Sequence, residues 1–273
     1  MFSRSDGPSE TGRVCVFCGG RAGSAEHILA NWINDVFPVL VVGEPQAVLG
    51  TLARDGDSTE RRWKSTGVAT QITKEVCHEC NTGWMSRLEG KAKPLLTPMM
   101  TGVPTRLTLD EQITVATWAT KTAMTVELVH GHDFNFSPEE RRIVMTEQRP
   151  PAHVAVMASA IETDIGPCRA TVARRQVVNA ANEVVAWIHV HTIQVGTLVF
   201  QVLRSDPPMG GEVAFKTVQF AAPIEIPVFP PTPKFSWPPK TVLTEDRFLA
   251  HTQRIGSNIA IESFLDNQKP FTF

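Results

Sequence analysis

Cys77-His-Glu-Cys-Asn-Thr-Gly-Trp-Met-Ser-Arg-Leu-Glu89 joins a metal-ligand pair directly to an apolar helical face. It opens with a Cys-x-x-Cys pair and passes straight into a segment where Trp84, Met85 and Leu88 fall on one face of a helix. That helix is predicted to run to about Leu96, with Pro94 as the residue that kinks or stops it. Upstream, Arg13-Val-Cys-Val-Phe-Cys-Gly-Gly20 holds a matching pair, Cys15 and Cys18, in a tight turn followed by glycine, which tolerates a left-handed backbone. Nothing at the polar N-terminus reads as an export signal, so the thiols are expected to stay reduced and to act as zinc ligands rather than disulfides. The four, Cys15, Cys18, Cys77 and Cys80, would close a tetrahedral structural Zn2+ site. Four thiolates leave no place for His78, which is expected to be exposed, and the lone Cys168 reads as a small apolar residue.

Between the two cysteine pairs, Ser24 is expected to cap a helix on which Ile28, Leu29, Trp32, Ile33 and Phe37 recur until Pro38, with Glu26 and His27 at its start. Residues 45–76 read as a hairpin turning at Asp55-Gly-Asp-Ser58, then a further strand ending at Val76. Trp32 and Trp84 are expected in the core of this part. Thr97–Thr108 breaks the pattern and is taken as a domain boundary, dividing a disordered start (1–12) and a zinc-clamped module (13–100) from a rear domain (105–273). In the rear, Thr108 with Glu111 forms a capping box, and Ser137-Pro-Glu-Glu140 opens a shorter helix. Strands are expected over His153–Ile161, Arg169–Val178 and Val184–Leu203, the last broken near Gly196. They are followed by a proline-rich strap over 222–240 and a final helix from Glu245 to about Ile255. His189 and His191 alternate on one strand face, and His130 and His132 are similarly spaced. They read as ordinary strand histidines, with a second metal site as the alternative. The fold class is α+β.

The 273 residues are 42% hydrophobic and 20% charged, the balance of a globular chain, and no apolar run is long enough for a membrane helix; the expected compartment is the cytoplasm. A net charge of −2 gives no global attraction to nucleic acid, so phosphate contacts would have to be local. The candidates are Arg61, Arg62 and Lys64; Arg87, Lys91 and Lys93; and Arg174 with Arg175.

Cys15-x-x-Cys18, Glu26-His27 and Cys77-x-x-Cys80-Asn81, in that order, resemble the zinc-bearing HNH or His-Me finger nucleases, including the phage endonuclease VII type. Glu26-His-Ile-Leu with Trp32, and Cys80-Asn-Thr-Gly-Trp-Met-Ser-Arg-Leu-Glu89, are similar to bacterial HNH proteins found near mobile or phage-defence genes. The resemblance covers about residues 13–95. It implies a ββα-metal module and an endonuclease cutting DNA ahead of RNA, in which His27 activates water and Glu26 and Asn81 hold a catalytic Mg2+ or Mn2+. The chain departs from the family pattern where several relatives have Asp at position 26 and many have His at position 81; both exchanges keep a donor atom. The rear domain would supply substrate choice, a partner contact or a ligand site, and a homodimer would suit paired strand cuts. The rival reading is a non-catalytic zinc module that binds nucleic acid or protein; a redox role for the Cys-x-x-Cys pairs is weaker, because redox chains carry one such pair.

Overall fold

The computed structural model describes residues 12–38, 46–52, 58–64, 71–130, 136–162, 168–178, 183–206 and 224–254. The expected disorder before residue 13, the turn Asp55–Asp57 and His132 lie outside the described residues, apart from Gly12. Strands and helices are mixed. In chain order they are β1 (Ser24–His27), α1 (Ile33–Val36), β2 (Gln46–Leu52), β3 (Ser58–Lys64), β4 (Ile72–Val76) and α2 (His78–Cys80). A π-helical turn (Asn81–Met85) and α3 (Ser86–Met100) follow, then α4 (Leu109–His130) and α5 (Pro138–Glu147). The remainder is β5 (Val154–Ala160), β6 (Cys168–Val178), β7 (Val184–Val195), β8 (Leu198–Asp206), β9 (Ile226–Phe229) and α6 (Glu245–Arg254).

β1 and β4 form a small antiparallel sheet, and the other strands form one sheet in the order β3-β2-β6-β7-β8-β5-β9. All its neighbours run antiparallel except β2 and β6, which are parallel through Leu49–Ala170, Gly50–Thr171 and Thr51–Val172. The hairpin expected before Val76 is present as β2 and β3, and it belongs to the large sheet.

The helix expected from Ser24 is not formed. Ser24–His27 is extended and pairs with β4, Glu26 opposite Thr73 and His27 opposite Ile72, and only the turn Ile33–Val36 is helical. Of the apolar residues that suggested a helix, Ile28 and Ile33 are buried, and Leu29, Trp32 and Phe37 are half-buried against the core. β4 lies some 45 residues away in sequence, beyond the reach of any local pattern.

α3 continues past its expected end, through Pro94 and Pro98 to Met100. Pro94 and Gly90, whose carbonyl loses its helical partner to the proline ring, are both exposed, so water can replace the lost bond. The expected capping box forms, with Thr108 N–H donating to Glu111 Oε2 at 2.8 Å, and the helix opened at Ser137 has one too, Ser137 N–H donating to Glu140 Oε2 at 2.6 Å.

α4 is the centre of the molecule, with every residue from Val115 to Glu127 buried. Buried threonine hydroxyls on it donate to carbonyls a turn back, Thr117 to Ile113 at 2.7 Å and Thr120 to Ala116 at 2.8 Å. The largest apolar cluster runs from Cys15, Phe17 and Trp84 through Trp118 to Phe200, Val228 and Trp237, so one continuous core crosses the segment 97–108. Trp32 packs against that cluster, and the prolines of 224–240 carry Phe235 and Trp237 into it. The expected final helix is α6, held by Arg169 with both guanidinium nitrogens on Glu245 at 2.8 Å.

Candidate metal centre

The first cysteine pair sits in a turn shaped by its backbone. Cys15 N–H donates to Gly20 O at 2.7 Å, Gly19 N–H returns to Cys15 O at 2.9 Å, and Gly19 has φ of +76°, the left-handed conformation expected after the pair. Gly20 N–H donates to Cys18 Sγ at 3.4 Å. The turn is fastened to β4 by Val16 N–H on Glu75 O at 3.0 Å and Gly23 N–H on Val76 O at 3.1 Å. The second pair lies where β4 passes into α2: Cys77 is the N-cap, and its sulfur accepts from Cys80 N–H at 3.3 Å. Phe17 meets Trp84 edge-on with ring centroids 5.2 Å apart, which locks one turn to the other.

The four sulfurs of Cys15, Cys18, Cys77 and Cys80 lie within 4.8 Å of one another, and Cys18 and Cys77 approach to 3.5 Å. Zn–S bonds of about 2.3 Å at tetrahedral angles place sulfurs about 3.8 Å apart, so the cluster has the dimensions of a closed zinc site. Cys15, Cys77 and Cys80 are buried and Cys18 is exposed. Burial pushes the Cys77 thiol up to about 11 and the Cys80 thiol further. Burial acts on Cys15 too, but N–H groups of Cys18, Phe17 and Cys77 outweigh it and hold that thiol below its ordinary value. A divalent cation at the centre supplies the charge that turns such thiols into ligands. The cluster can hold a zinc ion, and it is the only such group of three or more His, Cys, Asp or Glu among the described residues.

No protein-family model, curated protein or solved structure matches this chain.

The remaining candidate residues gather beside the cluster. Asn81 follows the last cysteine, and its amide nitrogen donates to Ser24 Oγ at 2.9 Å and to Ala25 O at 3.1 Å. The start of the long helical segment is thereby fixed to the strand that carries Glu26 and His27. Both contacts use Nδ2. His27 is half-buried at the end of β1, and His78 is exposed, as expected.

Glu26 is placed differently from a simple metal ligand. It is 5% exposed, and its Oε1 is 3.3 Å from Nζ of Lys121, a fully buried lysine whose other partner is Glu89 Oε1 at 2.8 Å. Burial holds the Glu26 carboxyl above the usual carboxylate range despite the nearby ammonium. Burial opposes the Lys121 charge as well, but Glu89 and Glu26 together keep the ammonium charged. One cation thus serves two carboxylates.

Sequence reading missed Lys121, Glu89 and a second set of buried charges behind α4. Glu127 Oε2 accepts from Arg141 at 2.8 Å, and Glu127 Oε1 lies 2.8 Å from His191 Nε2. Burial raises the Glu127 carboxyl, but its bond to His191 and the charges of His191 and Arg141 carry it below the ordinary range. A signal was present: between residues 112 and 129 the only charges are Lys121 and Glu127, isolated in a neutral helix. Of the basic candidates, Arg87 and Lys91 are exposed one turn apart on α3, whereas Lys93 lies 3.4 Å from Asp35. Among the described residues no helix is long and apolar enough to cross a membrane.

Proposed function

We propose that the chain is a metal-dependent endonuclease that hydrolyses phosphodiester bonds of DNA, with His27 as general base and the four-cysteine zinc site as its scaffold. The observation that carries this reading is the pair of hydrogen bonds from Asn81 to Ser24 and Ala25, which brings the residue after the last cysteine onto the strand of Glu26 and His27. The succession β1, β4 and the helical segment from His78, with His27 closing β1, fits the ββα order that the sequence resemblance implies.

In this mechanism His27 takes a proton from water, and the water oxygen bonds to phosphorus as the bond to the leaving sugar oxygen breaks; that oxygen is protonated by solvent. A bound Mg2+ or Mn2+ supplies positive charge to the phosphate and leaving oxygens. Asn81 Oδ1 and Glu26 would hold it, Glu26 through Oε2, since its Oε1 already faces Lys121. Arg87 and Lys91 stand exposed on the same helical segment, where they suit phosphate contacts.

One observation favours a second reading, a zinc-bearing module that binds nucleic acid or protein without cutting it: Glu26 is buried and already engaged. Plasmid incubated with Mg2+, Mn2+ or EDTA separates the two. The nuclease nicks or linearises it only with added divalent metal, and His27→Ala lowers the rate by at least about 100-fold. Cleavage unchanged in His27→Ala sinks the assignment of the base. Intact plasmid in every lane, with zinc present in the protein, selects the binding module.

A further inference from the structure

We infer that Lys121 and Thr125, on the central helix α4, are positioning residues for His27, so that the strand carrying the base is set in place by residues outside 13–100. The inference rests on the reading of His27 as general base for its activity arm only.

Both side chains are fully buried and stand one helical turn apart, so they point the same way. Lys121 Nζ reaches Glu26 Oε1 at 3.3 Å, and the Thr125 hydroxyl lies between two carbonyl acceptors, Ile28 O at 3.1 Å and Thr122 O on its own helix at 2.9 Å. They therefore grip the residues on either side of His27. The rest of the segment is held as well: Ser24 and Ala25 by Asn81, and Ile28 N–H by Gln71 O at 2.9 Å. Side chains alternate along a strand, and His27 is half-buried between the buried Glu26 and Ile28, so it projects away from the side on which Glu26 meets Lys121. There its imidazole makes no hydrogen bond with a described residue. The same Lys121 ammonium holds Glu89 of α3 at 2.8 Å, fixing the distance between β1 and the helical segment that Asn81 begins. A base whose neighbours are clamped while its ring stays uncommitted is pre-set for a proton it has yet to meet.

The test uses the full chain, carbon-13 labelled, and follows the His27 imidazole cross-peak at fixed pH, assigned by its loss in His27→Ala. Thr125→Val keeps shape and removes one hydrogen bond, Lys121→Met removes the charge, and Lys121→Arg restores it. Val144→Ala, in the same core on α5, controls for general destabilisation. The peak is expected to shift or broaden in Thr125→Val and Lys121→Met, to return in Lys121→Arg, and to stay in Val144→Ala. In plasmid cleavage the two disruptive variants should lose roughly 10- to 100-fold in kcat with KM unchanged. If Lys121→Met does not fold, Thr125→Val decides. An unmoved peak in Thr125→Val overturns the inference, as does an equal movement in Val144→Ala. A wild-type protein that cuts nothing, yet whose peak moves as expected, keeps the clamp and removes the nuclease.

Discussion

Glu140 caps a helix and gathers two basic side chains on one carboxylate. Oε2 accepts from Ser137 N–H, while Oε1 faces both Arg204 Nε at 2.6 Å and His153 Nε2. Burial alone would raise this carboxyl, but His153, Arg204 and the Ser137 N–H together carry it from the ordinary 4.5 to about 2. A carboxyl depressed in the folded chain stabilises fully above its ordinary value and loses that stabilisation as the pH falls through the folded value. Glu140→Gln should therefore lose about 3 kcal/mol at neutral pH, read by urea unfolding. Its stability should also change less than the wild type's between pH 4.5 and pH 2. An acid limb as steep as the wild type's refutes this. At this scale the sequence is legible only where partners are near: Ser137 and Glu140 announce a capping box three residues apart, but Arg204 lies 64 residues on. Lys121 and Glu26 are 95 apart, and no local pattern joins them.

The β7–β8 hairpin shows what an element demands of one position. Gly196 turns the chain with φ of +57°, and a Cβ there would lie 2.2 Å from Met100 O and 2.4 Å from Phe37 Cζ. The hairpin tip is seated on the end of α3, since Thr197 N–H also donates to Met100 O at 2.9 Å. Gly196→Ala should cost about 3 kcal/mol, because both the backbone conformation and the contact are lost. A melting temperature within a degree of wild type would contradict it. The break at Gly196, the two capping boxes and the strands on either side were readable because turn and cap chemistry is local. The strand at Ser24–His27 was not, because four residues are too few to display a period and their partner is distant. The four cysteines were the most legible part of the candidate site, since soft ligands in two close pairs admit few other uses. Lys121 stood out only as an isolated charge in a neutral helix, and nothing in that helix names its distant partners Glu26 and Glu89 or the contact of Thr125 with Ile28.

For the whole molecule, the continuous core makes the metal centre and the large sheet parts of one cooperative unit. Cys77→Ser should reduce zinc, measured by elemental analysis, from about one ion per chain to none. It should also lower the melting temperature by roughly 10 °C in a single transition. Two separated transitions would mean that the region 13–100 unfolds on its own and would contradict the unity of the core.

The parallel pairing of β2 with β6 also sets an order of events during synthesis. Both cysteine pairs and β4 are made once residue 80 is added, yet the β2–β3 hairpin between them has no sheet to join. About 120 residues separate Gly50 from its partner Thr171, and at roughly 5–20 residues per second its edge stays open for on the order of ten seconds. The nascent chain thus carries all four cysteine ligands beside an unpaired strand edge, the form in which it is most exposed to pairing with another chain.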